Sequence, residues 1–328
     1  MQMPEGGFKY VFGPVVSRRL GRSLGVDVVP FKTCTYNCLY CQLGPTTLPT
    51  LERKSYVPLE AVLDELRRKL AAGVLADYIT IAGSGEPTLY ADLRPLIRNI
   101  KAMTSIPMAV ITNGALFWMP EVQEAVLEAD VVVPSLDAGN EASFARVNRP
   151  LPEIGFEQMV EGLIAFRKRY RGQFWLEIFL LRGITDTDEE IDHLRALVQR
   201  IRPDKIQLNT VARPAPGREG EAPAEPVPEE KMKKIAQRLG GSLALPVEVI
   251  AHYELQRHTV GQTSACQDDV LAVIQRHPCN LADIAQGLSI SLDEAERHIA
   301  LLVQKGAILQ EVCDGVAFYV APNPTHNP

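Results

Sequence analysis

Short apolar runs that do not alternate with polar residues recur along most of the chain: Leu24–Val29, Tyr78–Ala82, Met108–Thr112, Val131–Ser135, Phe174–Leu181 and Lys205–Val211. Runs of this kind are strands buried on both faces. Between them the apolar residues return at helical spacing. A helix starts near Pro58, with Leu59, Val62, Leu63, Leu66 and Leu70 on one face, and others cover Ala91–Met103, Glu121–Glu128, Phe156–Tyr170 and Asp188–Arg200. Six strands separated by helices are parallel β/α units, so the fold class is α/β. Periodicity does not choose between an open doubly wound sheet and a full or partial barrel.

The stretch Arg213 to Glu230 is rich in Pro, Gly, Ala and Glu and is expected to be an extended loop or lid. A helix over Glu229–Leu239 and a strand over Val247–Ala251 complete a large domain, residues 1–253. A polar linker, 254–265, leads to a second domain, 266–328, whose pattern is three helices and a β-ribbon: Val270, Leu271 and Ile274; Leu281, Ile284, Ala285 and Leu288; Leu292, Ala295, Ile299 and Leu302; then Ile308–Val312 and Val316–Val320. This order resembles a winged helix-turn-helix domain.

Charge changes what that second domain can bind. From Cys266 to Val320, Arg276, Arg297 and Lys305 face eight acidic residues, and Asp293, Glu294 and Glu296 open the helix that would enter a DNA groove. A groove reader needs the opposite sign. A protein or peptide partner, or a purely architectural role, is therefore favoured, with tRNA as the lesser alternative. The whole chain, 328 residues with a formal charge of −6, has no general basic surface. Met1–Tyr10 has no apolar core of signal-peptide length, and no apolar run spans a bilayer, so a soluble cytoplasmic protein without membrane contact is expected.

Polar and glycine residues stand at the carboxyl ends of the strands, where ligands gather in both α/β architectures. Cys34, Cys38 and Cys41 follow the first strand in a C-x-x-x-C-x-x-C pattern; Gly83-Ser84-Gly85-Glu86-Pro87 ends the second; Asn113 ends the third; Ser135 and Asp137 the fourth; Arg182 the fifth; Asn209 and Arg213 the sixth. Three thiols at this spacing are soft ligands for zinc or an iron–sulfur cluster. Closed zinc sites more often come as paired C-x-x-C knuckles, which favours a cluster. Three cysteines on a [4Fe–4S] cluster would leave one iron without a protein ligand. The dispersed Cys266, Cys279 and Cys313 read as ordinary buried cysteines. Arg18, Arg19 and Arg22, ahead of the first strand, form either a solvated turn or a contact for an anionic substrate group.

The cysteine loop, with aromatic Tyr40 before its third cysteine, and the Gly-x-Gly-Glu-Pro turn one β/α unit later resemble the radical S-adenosylmethionine (radical SAM) family. The resemblance covers about residues 8 to 252. The strings Phe12-Gly13-Pro14 and Ser17-Arg18-Arg19-Leu20-Gly21 are similar to a prokaryotic subgroup grouped loosely with the wyosine-forming tRNA enzymes. It implies a partial (β/α)6 barrel carrying the winged-helix appendage, a [4Fe–4S] cluster on Cys34, Cys38 and Cys41, and SAM near Tyr40, Ser84, Gly85, Glu86, Asn113, Ser135 and Asp137. Ser135, Asp137 and Asn113, together with Glu177, Arg182 and Asn209, are weaker transfers, because strand-end motifs vary in the family. It also implies an electron donor such as flavodoxin or ferredoxin, and reductive cleavage of SAM to a 5′-deoxyadenosyl radical that takes hydrogen from a substrate. The rival reading is a zinc-stabilised regulator with a winged-helix output.

Overall fold

The computed structural model describes residues 8–17, 19–212, 223–241, 245–250, 267–276, 278–288, 290–313 and 315–322. Ten strands belong to the first domain: β1 (Val11–Ser17), β2 (Gly21–Val26), β3 (Thr33–Cys34), β4 (Leu48–Pro49), β5 (Tyr78–Ile81), β6 (Met108–Thr112), β7 (Val131–Pro134), β8 (Gln173–Leu180), β9 (Lys205–Thr210) and β10 (Val247–Val249). Seven helices interleave: α1 (Leu59–Ala71), α2 (Leu93–Met103), α3 (Pro120–Val126), α4 (Glu141–Val147), α5 (Phe156–Arg169), α6 (Asp188–Ile201) and α7 (Glu229–Gly240).

Eight strands form one sheet in the order β1-β2-β5-β6-β7-β8-β9-β10, and every pairing after the antiparallel β1–β2 hairpin is parallel. Each new strand adds to the same edge. With right-handed crossovers this puts all the helices on one face, where a doubly wound sheet would reverse direction and use both. Strand order thus sets aside the doubly wound alternative that periodicity left open.

Alternation along the strands separates the two faces. Ile79, Ile81, Met108, Val110, Val132, Phe174, Leu176, Ile178, Ile206 and Leu208 are buried in the large core shared with the helices. The alternate residues Ala109, Val131 and Val133, with Leu20, Tyr78, Ile111 and Trp175, make a small separate cluster on the inner face. Toward the carboxyl ends that inner face turns polar, through Ser23, Thr80, Ser135, Glu177 and Asn209.

Strand β1 and helix α4 depart from the sequence reading. Residues from Phe12 onward, read as a basic leader, begin as an edge strand with a register shift between Phe12 and Val15. The first parallel strand accordingly runs Gly21–Val26 and stops short of Val29. Helix α4 is capped by the Asn140 side chain, which accepts from Ser143 N. Among the described residues, no helix is long and apolar enough to cross a membrane.

The segment expected to form the second domain contains, among the described residues, α8 (Gln267–Ile274), α9 (Leu281–Leu288), α10 (Leu292–Gln304) and the hairpin β11 (Leu309–Cys313) with β12 (Val316–Val320). Its own core includes Val270, Ile274, Ile284, Leu288, Ile299 and Ile308, with Cys279 buried among them. Helices α8 and α9 both pack on β1. Cys266 and the linker 254–265 lie outside the described residues.

Candidate active site

The cysteine loop leaves β3 and is held from two sides. Asn37 N donates to Asn148 O and Arg149 O, and Leu39 N to Val147 O, so the loop rests on the segment that follows α4. Tyr36 is buried there, edge-on to Phe144. From the other side comes the turn after β5, where Glu86 N donates to Thr33 O at 3.0 Å. Gly85 makes this approach possible, because a Cβ on it would lie 2.0 Å from the Thr33 carbonyl oxygen. Gly85→Ala should therefore cost about 1–3 kcal/mol, the usual penalty for overpacking. A urea midpoint equal to wild type would contradict so close an approach.

Cys34, Cys38 and Cys41 are half-buried and line one cavity of about 420 Å³ at the carboxyl ends of the strands. An N–H donor faces each sulfur: Asn113 Nδ2 at 3.6 Å from Cys34 Sγ, Asn148 Nδ2 at 3.7 Å from Cys38 Sγ, and Lys32 Nζ at 3.0 Å from Cys41 Sγ. Burial pushes the Cys34 thiol up to about 12, reinforced by the nearby Glu86 carboxylate, and burial likewise raises Cys38 well above the ordinary thiol range. Sulfurs so disposed ionise when a cation takes them, and donors around them suit metal-bound thiolates. Among the described residues, no three His, Cys, Asp or Glu side chains gather as a site for a single metal ion. The three sulfurs instead face a shared space.

Glu86 braces the turn. Its Oε1 accepts from Thr88 N at 3.0 Å and from the Thr88 and Thr112 hydroxyls at 2.6 Å each; Oε2 accepts from Asn113 N at 2.8 Å. The carboxylate thus ties the end of β5 to the end of β6. Burial still raises its pKa despite these donors. Gly83, Gly85, Glu86 and Asn113 all line the cavity. Ser84 faces the other way. Its hydroxyl donates to Asp27 Oδ2 at 2.5 Å, and its side chain borders a second, smaller cavity behind the turn.

Tyr40 and Ser135 also line the main cavity. The Tyr40 ring stacks on Phe179 with centroids 3.9 Å apart, and its hydroxyl donates to Asp137 Oδ2 at 2.5 Å. Asp137 is buried behind it, and also accepts from Asn148 Nδ2 and Phe179 N; burial lifts its carboxyl to about 6. Among the weaker candidates, Glu177 and Asn209 face the cavity, whereas Arg182 sits on the surface opposite Glu225. Arg19 enters the cavity with a two-pronged pair to Glu177 (2.7 and 3.0 Å), and Asn209 Nδ2 adds a 2.9 Å bond to the same carboxylate. Its charge is thus engaged by the protein itself. Arg22 pairs with Asp77 at the surface, and Arg18 and Arg213 lie outside the described residues.

Sequence reasoning missed Lys32 and Asn148, because neither belongs to a motif. It counted Arg276 only in the charge balance of the second domain, whereas the side chain is nearly buried and reaches the cavity wall.

The sequence profile described as the Radical SAM superfamily matches residues 28–195, which include the cysteine loop, the glycine turn and strands β5 to β8. The chain belongs to the radical SAM superfamily. Superfamily members are enzymes whose cofactors are a [4Fe–4S] cluster and SAM, so the reading as a zinc-stabilised regulator is set aside. Among its relatives, the UPF0026 protein of Helicobacter pylori strain 26695 is 32% identical over 317 residues, 95% of this chain and 97% of that protein. The UPF0026 protein MJ1312 of Methanocaldococcus jannaschii is 29% identical over 314 residues, 94% of this chain and 95% of that one. A Brachyspira hyodysenteriae protein named GTPase Obg is 39% identical over 315 residues; the match takes 95% of this chain but 45% of that longer protein, to which the name refers. In fold, this radical SAM chain is similar to a radical SAM methyltransferase from Sphaerobacter thermophilus, with TM-score 0.54, 17% identity, 69% of this chain covered and 65% of that one. Streptococcus suis SuiB bound to S-adenosylmethionine gives TM-score 0.51 at 15% identity, over 69% of this chain and 50% of that one.

Proposed function

We propose that Cys34, Cys38 and Cys41 hold the [4Fe–4S] cluster and that SAM binds in the 420 Å³ cavity between them and the turn at Gly83–Glu86. One observation carries this reading: the three half-buried thiols, each faced by an N–H donor, open onto the same space as that turn. When bound, the pair supplies one-electron cleavage of the SAM sulfonium to methionine and a 5′-deoxyadenosyl radical, which takes a hydrogen atom from the substrate. Around it the chain's own residues divide the work. Lys32, Asn113 and Asn148 donate toward the sulfurs and offset their charge. Gly83 and Gly85 let the turn pass close against Asp27 and Thr33 so that its backbone lines the cavity, and Glu86 keeps that backbone in position. Tyr40, stacked on Phe179 and fixed by Asp137, offers a flat wall suited to a purine ring. Ser84 leaves the group of SAM contacts, since its hydroxyl is committed to Asp27.

The sheet supports reading the first domain as a partial (β/α)6 barrel, extended by the β1 hairpin strand and by β10. Three helices followed by a hairpin support a winged-helix reading of the second domain. Its charge supports a protein or peptide substrate presented with its help, ahead of a tRNA nucleoside. Arg276 is spent on the barrel, so Arg297 and Lys305 are left to face seven or more acidic side chains of that domain. A one-electron donor such as flavodoxin or ferredoxin and a cytoplasmic location complete the proposal.

Metal analysis tests the cofactor assignment. Protein purified without oxygen should be brown and carry iron and sulfide near about four each per chain. One zinc per chain, with no visible absorbance, would overturn it.

A further inference from the structure

The wall of the main cavity is built by residues of the first domain with a single exception among the described residues, Arg276, which follows α8 in the second domain. The guanidinium is nearly buried, its side chain 10% exposed. Nη1 donates to Ala272 O at 2.9 Å and Nη2 to Lys9 O at 2.7 Å, while the plane lies over the Phe12 ring with 4.4 Å to its centroid. Nε has no hydrogen-bond partner among the described residues and points to Asp27, whose Oδ2 is 3.6 Å away.

Asp27 is the carboxylate that holds the glycine turn. It accepts from Ser84 N at 3.2 Å and from the Ser84 hydroxyl at 2.5 Å, and Gly83 passes so close that a Cβ would meet it at 2.5 Å. The contacts run on. Ser84 O accepts from Lys32 N at 2.6 Å, and Lys32 Nζ reaches Cys41 Sγ. The turn is braced at its Glu86 end, while around Ser84 it runs between the main cavity in front and a second cavity of about 270 Å³ behind, bordered by Ser84, Asp27, Arg276, Tyr56 and Phe31. Asp27 holds the Ser84 part of the turn through its hydrogen bonds, and Arg276 is the cation placed against its buried carboxylate. A second tie, Lys69 Nζ to Asp269 Oδ1 at 2.7 Å, secures α8 to α1 beside it.

We propose that Arg276 is a positioning residue for the SAM site: docking of the second domain inserts it against Asp27 and thereby sets the Gly83–Glu86 turn and, through Lys32, the third cysteine. The proposal rests on the assignment of SAM to the main cavity. It makes the second domain part of the active site's construction and not only an appendage for a partner. SAM binding and domain docking are then coupled, each favouring the other to the same extent.

The test uses the full-length, cluster-loaded protein and three variants: Arg276→Met, Arg276→Lys and the double variant Asp27→Asn/Arg276→Met. SAM affinity is measured by equilibrium dialysis, together with iron content, thermal midpoint and amide exchange over residues 83–86. Arg276→Met should keep its iron yet bind SAM about tenfold more weakly or worse, with faster exchange in the turn; Arg276→Lys should regain part of the affinity. The double variant removes the unanswered buried charge, so its midpoint should return toward wild type while SAM binding stays weak. That separation is what a merely structural role would not give. SAM affinity within about twofold of wild type in iron-loaded Arg276→Met, or full recovery of affinity in the double variant, would overturn the proposal. Failure of wild type itself to bind SAM would instead sink the assignment of the cavity.

Discussion

Cys38→Ala should lose bound iron and SAM cleavage together while keeping the fold. Two cysteines cannot hold a cluster that relies on three protein ligands, and the other thiol among the described side chains, Cys279, is buried in the second domain's core. Cys38 contributes little to folding, since the loop is pinned by backbone bonds of Asn37 and Leu39 and by buried Tyr36. Its far-ultraviolet circular dichroism should match wild type, and deoxyadenosine production should fall to background. Iron content and cleavage that survive in this variant would remove the cysteine assignment.

The second large effect is expected on stability. Glu86→Ala deletes the acceptor of four hydrogen bonds in a buried place and leaves the Thr88 and Asn113 amides and two hydroxyls without it. Unsatisfied buried donors cost about 1–3 kcal/mol each, though water entering the gap will answer some of them. A loss of about 3 kcal/mol or more is expected, seen as a fall of roughly 6 °C or more in the thermal midpoint. SAM affinity should fall further than cluster content does, because the damage lies in the turn facing the ligand and the cysteine loop keeps its second support at residues 147–149. Glu86→Gln retains the shape and should be milder. A midpoint unchanged in Glu86→Ala would show that the brace is not what holds the ends of β5 and β6 together.

Much of this arrangement was legible in the chain. The parallel strands showed themselves because burial on both faces demands largely apolar runs, and their carboxyl ends showed themselves because polar and glycine residues gather where each run stops. Strand order was not legible, since it follows from where each crossover returns, which no local pattern encodes. Strand β1 was hidden by Gly13-Pro14, which breaks the alternation that marks a strand, and α4 by its length of seven residues. The side to which Ser84 turns carried no local signal, since both flanking glycines pack against the protein, Gly83 on Asp27 and Gly85 on Thr33. Lys32, Asn148 and Arg276 had none: Lys32 stands next to the cysteine loop but in no motif, and Asn148 and Arg276 meet the site across long separations in sequence.

Reduced, cluster-loaded protein incubated anaerobically with SAM provides the most direct test of the central claim, that SAM is cleaved at the centre held by Cys34, Cys38 and Cys41. The account predicts 5′-deoxyadenosine and methionine in equal amounts, dependent on reductant and absent from Cys38→Ala. Iron-loaded wild-type protein that returns SAM intact under these conditions, alone and with fractions of cell extract, would contradict it.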